Sequence, residues 1–475
     1  MADSTPTPTF VAAQTLTDEK VSVAPAAQEA HDTDEDTASV RTTVAQRRKE
    51  WIQFLSLCLS LFIAGWNDGS IGPLIPRIQE YYHLGYTIVS LLFLLGCFGF
   101  MVGAFASLWL NDKLGFGKTL VLGASCQVIT YAIFAPAPPF PVLVVFAFVN
   151  GFGMAVQDAQ SNGYVAVMKH NADRKMGALH AVYGAGALLG PLVSTQFAQM
   201  PDHWSYHYII SCGIAVTTVI VLSVVFRFKR QEILLAEMGV VDPTVEDSSS
   251  IEKASKGENT VSGQDANEDK VSTEKAKDGS TYKEMFSQSI LHYFATFILL
   301  YVGVELTIGG WLTTYIIRER GGGPSSGYIA SGFYGGLMLG RVVLLPLNEL
   351  LGEQSAILVY SFIAVALDVI VWRVRSLIGD AVAASFMGLV LGPLYPIVMN
   401  QATRVIPRHL LTGSIGWIAG FGQVGSAAFP FMTGALASRF DIGVMPPLVL
   451  AMVGVMIICW ILALWTVRRH QSHKA

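Results

Sequence analysis

Apolar stretches long enough to cross a hydrocarbon layer recur twelve times along the chain. They lie at residues 51–77, 86–110, 119–135, 141–168, 176–197, 206–226, 285–317, 326–347, 356–371, 377–400, 413–436 and 444–467. A span of about 20 residues suffices for a helix to cross a bilayer. Backbone polar groups in lipid must be satisfied within the segment, which predicts helices, and the runs are unbroken where barrel strands would alternate. The pattern therefore predicts an all-α polytopic membrane protein of about twelve transmembrane helices. Two polar stretches interrupt it, residues 1–45 and 231–281, whose Ser, Thr, Asp, Glu and Lys content is too high to bury a core. The expected organisation is a disordered tail (1–45), a six-helix bundle (46–230), a disordered central loop (231–281), a second six-helix bundle (282–467) and a short tail (468–475).

The two halves repeat each other. "GFMVGAFASLWLNDKLG" at 99–115 and "GLMLGRVVLLPLNELLG" at 336–352 share Gly-x3-Gly and, at the same offset, Leu-Asn-acid-x-x-Gly. "MGALHAVYGAGALLG" lies on "TGSIGWIAGFGQVGS", so that Gly177, Gly184 and Gly186 meet Gly413, Gly420 and Gly422. Gly65 and Asn67 of the first helix meet Gly303 and Glu305 of the seventh. Such duplication predicts two pseudo-symmetric six-helix bundles about a central solute site. Rows of small residues predict close helix contacts at Gly99/Gly103, Gly186/Gly190, Gly332/Gly336/Gly340, Gly388/Gly392 and Gly416/Gly420.

Charge sets the expected orientation. Only 14% of residues are charged, mean hydropathy is +0.48, and the net charge of −4 comes largely from the tails. Basic residues cluster at Arg47–Lys49, Lys113 and Lys118, Lys169 to Lys175, and Arg227 to Arg230, while the loop "APAPPFP" is uncharged. The positive-inside rule then puts both termini and the central loop in the cytoplasm, with the plasma membrane as the expected location. In the second half Arg318, Arg320, Arg373, Arg375 and Arg439 fall on the opposite side.

Three carboxylates inside the spans stand out: Asp68, Asp158 and Glu305. A charge at bilayer centre costs about 2.5–3.5 kcal/mol on insertion scales, so such a residue is read as functional. A group balanced between charged and neutral forms can take a proton on one side and release it on the other, which makes these three the candidate proton-coupling residues. Asn67, Gln157, Gln160 and Asn162 offer donors and acceptors suited to a hydroxylated or amide solute. Trp311 and Tyr395 are candidates to stack on it, and Asn400 closes the kinked stretch "LVLGPLYPIVMN". Arg341 is a candidate gating residue that snorkels or binds a carboxylate. Helix packing and helix–helix ion pairs remain the structural alternative for each of these.

No metal-ligand cluster, nucleophile triad, CxxC pair or GxxxxGK[ST] loop occurs. The sequence thus predicts neither an enzyme nor a cofactor, metal or nucleic-acid partner; its five cysteines fall inside apolar spans and are read as packing. The expected partners are a small-molecule solute, protons and the bilayer, with the monomer as functional unit.

The segment "LWLNDKLGFGK" at 108–118 resembles the loop motif of the major facilitator superfamily, Gly-x-Leu-Ala-Asp-Arg-x-Gly-Arg-Arg/Lys. Leu110, Asp112, Lys113, Gly115 and Lys118 match; Leu108, Phe116 and Gly117 depart from it. The resemblance implies that Asp112, Lys113 and Gly115 gate by bracing the halves in one state. Asn67-Asp68 and Asp158 with Asn162 are similar to the fucose–proton symporter and glucose-transporter-like branch, and the long polar tails to its fungal members. That implies a proton-coupled carrier of a sugar-like solute working by alternating access. An efflux carrier for a secondary metabolite or drug-like compound, and a non-transporting nutrient sensor, are the alternatives.

Overall fold

The structure is a computed structural model that describes residues 44–238 and 283–472. The expected disorder of the N-terminal tail, the central loop and the last few residues concerns stretches that lie largely outside the described residues. The first half contains α1 (Val44–Tyr82), a single turn (Tyr86–Val89), α2 (Leu91–Leu114), α3 (Phe116–Phe134), α4 (Phe140–Ala166), α5 (Ala172–Ala198) and α6 (His207–Phe226). The second contains α7 (Ser289–Arg320), α8 (Tyr328–Val343), α9 (Glu353–Arg373), α10 (Leu377–Leu391), α11 (Arg408–Phe440) and α12 (Met445–Ser472).

Each apolar run is a helix, in the expected order. Ten helices among the described residues are long and apolar enough to cross a membrane, or eleven when α8 and its continuation are taken as one span. α11, 33 residues long and glycine-rich, lies where the eleventh span is expected but is not among these. Two spans are broken where proline removes a backbone donor. α8 bends by 58° into Leu345–Leu351, with Pro346 in the first turn of that continuation. α10 breaks at Gly392-Pro393 and resumes as Leu394–Val405.

Residues 231–237, placed by sequence in the polar linker, form a helix instead, Gln231–Glu237. Its Leu234, and Met238 after it, bury themselves in the apolar core of the first half. Helical structure also reaches outward to Val44 and to Ser472.

The duplication is visible in the packing. A methyl on Gly99 would lie 1.9 Å from the Phe148 carbonyl oxygen, and one on Gly336 2.1 Å from that of Ser385. Gly103 meets Phe152 as Gly340 meets Leu389, and Gly151 meets Gly96 as Gly388 meets Phe333. One constant residue offset relates every member of these pairs, so α2–α4 and α8–α10 are the same contact made twice. α1 packs on α5 as α7 does on α11, and α3 on α6 as α9 does on α12. Gly115 and Gly352 occupy equivalent turns with φ of +82° and +76°, a backbone region that favours glycine. The row Gly416/Gly420 departs from expectation: a methyl at either would meet nothing within 4 Å. These two glycines face open space because α7 lies against other positions of α11, notably Gly425, where a methyl would meet the Leu299 carbonyl at 2.0 Å.

Short connections make successive helices antiparallel. Both ends of the body, the α2–α3 turn and the Gln231–Glu237 helix therefore share one face, the terminal face. Contacts between the halves gather toward the opposite, far face. There the backbone of Gly72 meets that of Gly309, Thr87 and Ser438 hydroxyls bond at 2.7 Å, and Gln196 bonds Tyr328. One apolar core runs through both halves on that side. Near the terminal face the first half keeps a separate core, including Phe54, Leu57, Leu120, Tyr164 and Phe226.

Candidate functional site

The site grows from one crowded helix crossing. Gly65 and Gly69 carry no side chain, so α5 can press on α1: a methyl on Gly65 would sit 1.9 Å from the Tyr183 carbonyl oxygen. This brings the Tyr183 hydroxyl within 2.7 Å of Asp68 Oδ2, to which it donates. Asn67 Nδ2 donates to Asp68 Oδ1 at 3.2 Å. Asn67 Oδ1 in turn accepts from Asn150 Nδ2 at 2.9 Å and Tyr131 Oη at 3.3 Å. Helices α1, α3, α4 and α5 are thus joined around one half-buried carboxylate. Asp158, on α4, accepts from Asn162 Nδ2 at 2.9 Å, one turn further on, and feels the charge of Asp68.

The second half brings its own acid. Glu305 is buried on α7. Arg341 of α8 is the cation that acts on it, and Tyr301, one turn earlier on α7, lies beside both. Burial of a carboxylate is costly unless it is paired and hydrogen-bonded, and these groups lessen that cost. Tyr395 stands with its ring centroid 6.1 Å from that of Tyr301, within electrostatic reach of Asp158, Arg341 and Glu305.

The halves meet through phenol groups. The Tyr334 hydroxyl of α8 lies against Gly309 of α7 and 3.5 Å from the Asp68 carbonyl oxygen of α1. The charges of both Asp68 and Glu305 reach Tyr183 and Tyr334. Arg341 also acts on His180 and Tyr183 of α5. One polar cluster therefore spans the contact between the halves, made by α1, α4, α5, α7, α8 and α10. It offers exchangeable protons on carboxyl and phenol groups, one guanidinium, and amide donors and acceptors. Among the described residues no group of three His, Cys, Asp or Glu side chains is placed to hold a metal ion.

Of the residues singled out from sequence, Asn67, Asp68, Asp158, Asn162, Glu305, Arg341 and Tyr395 come together here. The rest lie elsewhere. Gln157 Nε2 donates to Gln127 Oε1 on α3 at 3.3 Å, and Gln160 Nε2 to Ser107 Oγ on α2 at 2.9 Å. Trp311 is buried toward the far face, its Nε1 donating to the Pro430 carbonyl at 2.9 Å and its ring against Tyr86 and Phe93. Asn400 donates to Glu353 at 2.5 Å, beside Gln401 and Arg404, at the terminal-face end of α10. Asp112 and Lys113 are exposed in the last turn of α2. Gly115 follows them, with Arg230 packed against it.

Tyr131, Asn150, Tyr183, Tyr301 and Tyr334 were not singled out. The spacing held a signal for some: Tyr301 is one turn from Glu305, and Asn150 two turns from Asp158.

Two duplicated six-helix bundles, with ionisable side chains gathered where they meet, define a membrane transporter rather than an enzyme. The chain belongs to the Major Facilitator Superfamily, whose family profile matches residues 57–430. Bypass of stop codon protein 6 of Saccharomyces cerevisiae is 26% identical over 88% of this chain and 83% of its own. A glucose/galactose transporter of Brucella abortus is 22% identical over 85% of this chain and 92% of its own. Among solved structures, a D-xylose-proton symporter superposes with a TM-score of 0.65 at 12% identity, over 86% of this chain and 97% of that one.

Proposed function

We propose that this transporter couples movement of a small sugar-like solute to protons, by alternating access about the cluster at Asp68 and Glu305. The observation that carries the reading is the contact of Asp68 with both halves. Its carboxylate is held by Tyr183 and Asn67, and its backbone carbonyl lies against Tyr334 of the second half. The charge of that carboxylate also reaches Tyr334, so neutralising it changes the electrostatics where the halves meet, and this supports a link between protonation and their relative position. The separate cores near the terminal face fit a state open on that side. Asn67, Asn162 and Tyr395 are the proposed solute contacts, and Arg341 the cation that balances Glu305. The glucose/galactose transporter relative and the amide and phenol groups of the site support a polyhydroxylated solute. The basic flanks of the spans support cytoplasmic termini, and the plasma membrane is the proposed location.

Purified protein in liposomes with an imposed pH gradient, offered radiolabelled glucose, galactose and xylose, tests this. Accumulation that collapses with a protonophore is expected. Equilibration without accumulation would remove proton coupling, and no flux of any of these sugars would remove the sugar class.

A further inference from the structure

We propose that the cleft between α1, the end of α6 and the helix Gln231–Glu237 binds the phosphate headgroup of an anionic phospholipid. The cleft has a volume of about 300 Å³ and lies far from the central acids. Its polar wall holds Lys49, Arg227, Lys229, Gln53 and Glu237. Gln53 is fully buried; its Oε1 accepts from the Tyr164 hydroxyl at 2.8 Å, while its Nε2 has no partner among the described residues. Lys49 and Lys229 both pair with Glu237. No described carboxylate pairs with Arg227. The groups left for a ligand are thus donors and a guanidinium, a set that selects an anion and suits phosphate oxygens.

The remaining wall is apolar: Ile52, Val224, Val225 and Leu234. Ile52 and Val224 are 44% and 65% exposed within the apolar runs 51–77 and 206–226, so they face hydrocarbon. Arg227 follows directly on the last residue of α6, which sets it at headgroup depth, and the C-terminal end of a helix favours a cation there. Basic pockets between spanning helices are suited to anionic lipid headgroups. A lipid meets both walls with one molecule, its phosphate on Arg227 and Gln53 and its chains along Ile52 and Val224; a free phosphate would meet only one.

Calorimetric titration of detergent-purified full-length protein with dioctanoyl phosphatidic acid tests the site. Dioctanoyl phosphatidylcholine and inorganic phosphate serve as comparisons. One saturable phosphatidic acid site is expected, bound at least about tenfold more tightly than either comparison. Arg227→Gln should weaken it by about tenfold or more, because it removes a charged donor. Glu237→Gln should tighten it, because it releases two lysines; this variant tests the site even if Arg227→Gln fails to fold. Unchanged affinity in both variants, or weakening in both, overturns the proposal. Phosphate binding as tight as the lipid overturns the lipid as occupant. Binding that appears only after removal of residues 243–281 also overturns it, since the chain's own acidic segment would then fill the cleft.

Discussion

The Tyr183 hydroxyl donates to Asp68 Oδ2 across 2.7 Å, joining α5 to α1 where both helices touch the second half. The bond exists because Gly65 and Gly69 let the two backbones come into contact. Removing the hydroxyl leaves a half-buried carboxylate short of a donor, which raises the cost of its charged form. Tyr183→Phe should therefore shift the pH dependence of transport toward higher pH while leaving the protein folded. The check is the pH profile of solute uptake in liposomes, compared with wild type.

The repeated glycine contacts predict matched defects. Gly99→Val and Gly336→Val place side-chain atoms on the backbones of Phe148 and Ser385. Overpacking costs about 1–3 kcal/mol even where side chains can yield, and backbone yields less. Both variants should lose most of the monodisperse peak in detergent size-exclusion chromatography. Gly416→Ala and Gly420→Ala, which meet open space, should keep it.

A buried ion pair braces the far end of the second half. Arg320 Nε bonds Asp380 Oδ2 at 2.8 Å, and Arg320 also holds the Val371 carbonyl and the Tyr315 hydroxyl. Asp380→Ala strands the guanidinium and should cost about 3–5 kcal/mol. Replacing both partners, Arg320→Met with Asp380→Leu, should recover much of that loss. Thermal unfolding of the three variants in detergent decides between these outcomes.

At the terminal face Lys229, then Lys49, hold the Glu237 carboxyl below the usual carboxylate range. A carboxyl depressed in the folded state adds stability above its unfolded pKa, and that stability is lost as pH falls through the folded value. The group is partly exposed, so solvent screens the pair and its worth is about 0.5 kcal/mol. Glu237→Gln should lower the thermal midpoint slightly at pH 7. The difference should shrink as pH falls below about 4.

The spans and the duplication were legible because they rest on long runs and repeated glycines. Gly99 and Gly336 aligned in the sequence and make the same contact in the structure. The short helix Gln231–Glu237 was not legible, since its few apolar residues are set among polar ones. The acids of the site stood out against apolar surroundings. Their phenol partners did not, because a tyrosine on a spanning helix looks the same whether it packs or donates. Gln160 shows the limit of proximity in sequence. It is two residues from Asp158, about 200° round the helix, and faces α2 instead.

The central claim is that Asp68 carries the proton, and Asp68→Asn tests it most directly. Asparagine is near-isosteric and uncharged, so the variant should insert and fold. Transport is measured twice in the same liposomes, as accumulation driven by a pH gradient and as counterflow of preloaded solute without one. Loss of driven accumulation with counterflow retained is the predicted result. Driven accumulation at the wild-type rate, with unchanged pH dependence, would contradict it and leave Asp68 a structural residue of the helix crossing.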